Sequence, residues 1–206
     1  MKYLKNLFLK HPKTIINVKK FKKNFPQDLG EIPPELLSMA KKDYSSGDFQ
    51  LYDSYWKSGW EIYFPEKETS HYFIPFGFDA DGSIYAFWRY KESPMDTLPV
   101  VFLGFSWTGT TIVADNIRDF MALLSLGIQA LGYDISFPGW EKQISNTPEI
   151  MQFRNWLKRE FDISMPENPL ALVEKARNSH PGLGMWIEEK TGIPPESFTE
   201  NKFFKN

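Results

Sequence analysis

Four short runs of β-branched and aromatic residues follow one another through the middle of the chain: Ile62 to Phe64, Tyr72 to Phe76, Ile84 to Tyr90 and Val100 to Phe105. Pro, Gly and Asp bound them, and runs of this kind with such stops predict strands. Between the second and third lies Asp79-Ala80-Asp81-Gly82. An Asp-Gly pair fits a tight turn in which the glycine takes a positive φ, so these two runs predict a hairpin. Side chains alternate across a strand, which sends Ile84, Ala86 and Trp88 to one face and Tyr85, Phe87 and Arg89 to the other.

Helical patterns flank this block. Ile32-Pro33-Pro34-Glu35 opens one, because proline is tolerated in a first turn and an acid there complements the macrodipole. Leu36, Leu37, Met39 and Ala40 give it an apolar face that fades near Asp43, and Ser45 to Asp48 is a loop. Over 49–60 the aromatics Phe49, Tyr52, Trp56 and Trp60 have helical spacing, but Ser58-Gly59 weakens the end, so helix and strand both stay open. Trp107 to Thr110 predicts a turn. Ile117, Phe120, Met121 and Leu124 then form an apolar stripe over 115–126, with Asp115 or Asn116 as cap. A further helical turn at 128–133, irregular chain from Asp134 to Ser145, and helices over 149–161, 169–179 and 185–190 complete the pass.

At 206 residues the chain suits one domain with a substantial core. It divides into a basic segment, 1–29, and a single domain, 30–206, with a core at about 30–133 and C-terminal helices at about 148–191. The chain has no cysteine, which excludes disulfides, thiolate zinc sites, iron–sulfur clusters and cysteine nucleophiles together. No run of roughly 18 apolar residues exists to span a bilayer. Leu7 to Leu9 is too short for a secretory core, so the expected location is the cytoplasm.

The net charge of −2 conceals an asymmetry. Residues 1–27 carry eight lysines (Lys2, Lys5, Lys10, Lys13, Lys19, Lys20, Lys22 and Lys23) and no acid. The remainder therefore holds 16 basic and 26 acidic residues, a net of −10, which suits a basic partner. The lysine segment fits either a polyanion, nucleic acid or anionic lipid, or a plain solvated face. Arginine is missing from it, and bidentate phosphate recognition usually uses arginine, which favours the plain solvated face. Leu7, Phe8, Ile15, Ile16, Val18, Phe21 and Phe25 interleave the lysines, so part of the segment packs.

Signals for catalysis are thin. His11, His71 and His180 lie far apart with no ligand-like spacing. Asp79-x-Asp81-Gly82 opens like a calcium loop but lacks the later ligands and closing glutamate, and the turn accounts for both aspartates. No Walker pattern, dinucleotide fingerprint or nucleophile elbow occurs, and the hydroxyl-rich Ser106 to Thr111 reads as a connecting loop. Glu61, Glu66, Glu68, Asp79 and Asp81 could pair as hydrolase carboxylates only if the fold brought them together. No metal and no cofactor is expected. The aromatic content of 17% promises a bulky core, and any tryptophan left outside would be an interface anchor, Trp107 first because it sits at a turn.

The order of motifs resembles the SUKH superfamily, which includes fungal regulators of cell-wall glucan synthesis and many bacterial immunity proteins. The residues that carry the resemblance are Ile32-Pro33-Pro34-Glu35, Phe73-Ile74-Pro75-Phe76-Gly77, the Asp81-Gly82 turn and Ile84-Tyr85-Ala86-Phe87. They continue through Pro99 to Leu103 and Ala114 to Phe120 with Leu123-Leu124. The resemblance covers about 30–127; the segment 43–60 and the basic N-terminal segment depart from it. It implies an α+β fold: a twisted, mainly antiparallel sheet with helices packed to one side. It also implies binding in place of catalysis, either as an immunity protein that neutralises a toxin, often a nuclease, or as a regulatory scaffold. The expected partner is a toxin domain with a basic surface, met by Asp79, Asp81, Trp107, Trp56 and Trp60.

Overall fold

A computed structural model describes residues 16–42, 44, 46–53, 71–104, 109–135 and 137–192. Among the described residues, five strands form one sheet in the order β1 (Gln50–Leu51), β2 (Phe73–Phe78), β3 (Ile84–Trp88), β4 (Val100–Leu103) and β5 (Thr111–Ala114). Every neighbouring pair is antiparallel, so the sheet is a simple meander. The helices are α1 (Val18–Phe21), α2 (Pro34–Lys42), α3 (Ile117–Leu124), α4 (Leu131–Asp134), α5 (Pro148–Phe161), α6 (Pro169–Ser179) and α7 (Leu183–Thr191). The architecture is α+β with an open antiparallel sheet, as the sequence predicts.

The hairpin forms at the expected place. The Gly82 N–H donates to the Asp79 carbonyl and the Asp79 N–H to the Ser83 carbonyl, both at 2.9 Å. Gly82 sits at φ +91, a conformation that any residue with a Cβ resists. The helix starts also follow their signals. Asn116 caps α3, Thr147 caps α5 ahead of Pro148, and Asn168 caps α6 ahead of Pro169, each through its side-chain oxygen. Two strands were not anticipated: β5, hidden behind the polar turn before it, and β1, where aromatic spacing pointed equally to a helix. The run Ile62 to Phe64 lies outside the described residues.

One expectation is corrected. The helices do not pack to one side, because both sheet faces are covered. Ile74, Phe76, Tyr85, Phe87, Val100, Phe102 and Val113 face the larger core with α2, α3 and α5. Phe73, Ile84, Ala86, Trp88, Val101, Leu103 and Ile112 face the other way, onto Ala176 of α6 and Leu183 and Ile187 of α7. Trp186 seals this second layer edge-on against Trp88 and Tyr72, with ring centroids 5.3 and 4.9 Å away. The whole of β3 and β4 is buried, so their runs are apolar on both faces. The N-terminal segment contributes as well: Phe21, Phe25 and Leu29 belong to the larger core.

Candidate interaction surface

A meander delivers alternate connections to opposite ends of the sheet. The β2–β3 turn, the β4–β5 connection and the chain entering β1 share one end, while the β3–β4 connection and Asp115 share the other. The α4 region joins the first end. There the Asp48 N–H donates to the Gln129 carbonyl at 2.7 Å, and the Gly132 N–H donates to the Tyr85 hydroxyl at 2.8 Å. Glycine at 132 permits that approach, because a Cβ would lie 2.1 Å from the Phe102 ring.

Asp48, Asp79, Asp81 and Asp134 collect at this end. Asp81 is exposed, and its carboxylate accepts the Ser83 N–H at 3.0 Å and the Ser83 hydroxyl at 2.9 Å, closing the turn. Asp48 and Asp134 are half-buried. Asp79 is only 3% exposed, and its Oδ2 accepts the Tyr85 hydroxyl at 3.0 Å. Burial pushes the Asp79 carboxyl up to about 7; the Tyr85 hydroxyl opposes this, and Asp81, Asp48 and Asp134 add to it. Its Oδ1 has no hydrogen-bond partner among the described residues, which would be costly for an ionised group and favours the neutral acid. Burial likewise raises the Asp134 carboxyl, with Asp48 contributing. Directly after α4 stands Phe137, 57% exposed, its N–H bonded to the Asp134 carbonyl at 2.8 Å.

The structure thus separates the two aspartates singled out in the turn. Asp81 faces solvent, whereas the expectation that Asp79 meets a partner is corrected: its side chain is a core group that locks the hairpin to β3. Trp56, Trp60 and Trp107 lie outside the described residues, as do Glu61, Glu66, Glu68 and His11. Phe137, Asp48 and Asp134 went unnoticed in the sequence. Phe137 stands in a stretch with no periodicity, and nothing local says that Asp48 and Asp134 approach the turn.

The opposite end holds a second polar cluster. His180 follows α6, and its side chain is 5% exposed. Its Nε2 lies 2.7 Å from Asp115 Oδ1 and its Nδ1 lies 2.9 Å from the Tyr90 hydroxyl. Lys175 completes the group, 3.0 Å from Asp115 Oδ2. Burial alone would raise the Asp115 carboxyl, but Lys175 and His180 outweigh it and bring it below its ordinary value. Both ring nitrogens are engaged, so His180 ties α6 to the ends of β3 and β5. A pocket of about 650 Å³ adjoins it, lined by residues that include Glu35, Lys91, Asn116, Arg118 and His180. Arg118 is bound to the buried Glu35 at 2.9 Å and to the Phe161 carbonyl at 2.6 Å. A Tyr–His–Asp chain has the wiring of acid–base catalysis, and here each member also fastens one element to another. Sequence separations of 65 and 90 residues hid it.

Among the described residues, no group of three or more His, Asp or Glu is placed to hold a metal ion, and no helix is long and apolar enough to cross a membrane. A scan against protein-family models, a search of curated proteins and a search of solved structures give no match to this chain.

Proposed function

We propose that this chain is a non-enzymatic protein-binding domain of the immunity type, which neutralises a toxin domain by covering a basic surface on it. The observation that carries the reading is the acidic end of the sheet. Asp81, Asp48 and Asp134 surround a buried Asp79, and an exposed Phe137 follows Asp134 with its N–H bonded to the Asp134 carbonyl. Exposed carboxylates speed and orient association with a basic partner. An aromatic ring at the rim supplies apolar area that a complex would bury. Both faces of the sheet are occupied by helices, so docking falls to the loops at its ends. The net of −10 over residues 28–206 works in the same direction.

The test is capture of the tagged protein from its source cells at low and high salt, followed by co-expression with the protein recovered. The reading expects one dominant partner with a basic toxic domain whose toxicity the chain suppresses. Recovery of several signalling or envelope proteins, with no toxicity to suppress, would replace it with the scaffold. A structure in complex with a small substrate would replace it with an enzyme.

A further inference from the structure

The lysine-rich start of the chain is partly a folded feature, and its geometry is informative. Phe21 and Phe25 are turned into the larger core, with ring centroids 5.0 Å apart. With the apolar side chains held inward, Lys19, Lys20, Lys22 and Lys23 are all exposed. None of the four is in an ion pair among the described residues. Three carboxylates bonded to or around this segment have other partners: Asp28 lies 2.9 Å from Arg89, Glu92 is on the same guanidinium, and Asp53 accepts the Asn17 N–H.

This face also has a fixed place. Asn17 is bonded to Asp53 and Asn24 to the Tyr52 carbonyl at 2.8 Å, while Asp28 meets Arg89. Tyr52 and Asp53 follow β1 along the edge of β2, where the Tyr52 N–H donates to the Phe76 carbonyl at 3.0 Å, and Arg89 follows β3 at the end of the sheet opposite Asp79 and Asp81. The lysine face is therefore held away from the β2–β3 turn that carries Asp79 and Asp81. Four more lysines, Lys2, Lys5, Lys10 and Lys13, precede this face with no acid among them, interleaved with Leu4, Leu7, Phe8 and Leu9.

We propose that this lysine face binds the surface of an anionic lipid bilayer. Lysine is suited to that role. A diffuse layer of lipid headgroups needs point charges at close range, without the bidentate fork that arginine offers to an ordered phosphate backbone. Each ammonium close to such a surface raises partitioning by roughly fivefold. The lysines alone therefore give reversible attachment. The inference does not rest on the proposed toxin partner.

The experiment is co-sedimentation of the full chain with phosphatidylcholine vesicles, with or without phosphatidylserine, at low and high salt. Binding should need phosphatidylserine and weaken with salt. K19Q/K20Q/K22Q/K23Q should lose on the order of a hundredfold in partitioning, with an unchanged near-ultraviolet circular dichroism spectrum. A control of equal charge change, K41Q/K42Q/K142Q/K158Q, should bind like the parent. No binding at low salt, or equal losses in both variants, would overturn the proposal. So would tighter binding to a duplex or single-stranded oligonucleotide than to the vesicles at the same salt.

Discussion

The Tyr85 hydroxyl donates to the Asp79 carboxyl at 3.0 Å while accepting the Gly132 N–H at 2.8 Å. One buried phenol thus joins the β2–β3 turn, the centre of the sheet and the start of α4. The loops that form the acidic end are held in register from inside.

That link makes stability depend on pH in a definite direction. The folded Asp79 carboxyl, at about 7 against an ordinary 3.8, holds its proton more tightly than the unfolded chain does. Its contribution is complete below the ordinary value and disappears as pH rises through about 7. Urea unfolding should show this group adding about 2 kcal/mol at roughly pH 5 relative to roughly pH 8. Asp79→Asn should flatten that slope. An unchanged slope would mean that Asp79 is ionised in the fold.

Tyr85→Phe removes only an oxygen but strands two groups, the Asp79 carboxyl and the Gly132 N–H. The expected cost is about 2–4 kcal/mol in urea or thermal unfolding. A double-mutant cycle with Asp79→Ala, which removes the acceptor, should return a coupling of about 1 kcal/mol or more, since the pair share one bond.

Gly132→Ala should destabilise by about 1–3 kcal/mol, because the added carbon overlaps the Phe102 ring and the chain there cannot withdraw without breaking the Tyr85 contact. Equilibrium unfolding checks it, and hydrogen exchange should place the largest change at 129–135.

His180→Ala should act at the other end. Losing the bonds to Asp115 and Tyr90 in a nearly closed site should cost about 2–3 kcal/mol. Hydrogen exchange should rise over α6 and α7 while the β2–β3 turn stays protected. Loss of protection throughout would mean that the second layer and the first unfold as one unit.

Much of this fold was legible in the sequence, and the reasons are local. Asp81-Gly82 announces its turn because only glycine suits the backbone there, and Thr147-Pro148 and Asn168-Pro169 announce helices because cap and proline act within one turn. The unbroken apolar runs of β3 and β4 lack polar alternation because both faces of those strands are covered. The short strand β1 lacked a pattern long enough to register. The site was much less legible. Asp79 and Asp81 look alike in sequence, and only the Tyr85 hydroxyl separates the buried acid from the exposed one. Asp48 and Asp134 join them through contacts made across the fold.

The central claim, that the acidic end holds a basic protein partner, is tested most directly by titration calorimetry of the captured complex. Parent chain is compared with Asp81→Lys, Asp134→Lys and Phe137→Ala, and with Lys142→Glu as a surface control. The account predicts losses on the order of a hundredfold for the two charge reversals, smaller at high salt, a clear loss for Phe137→Ala, and none for the control. Parent-like affinity in all three acidic-end variants would contradict it.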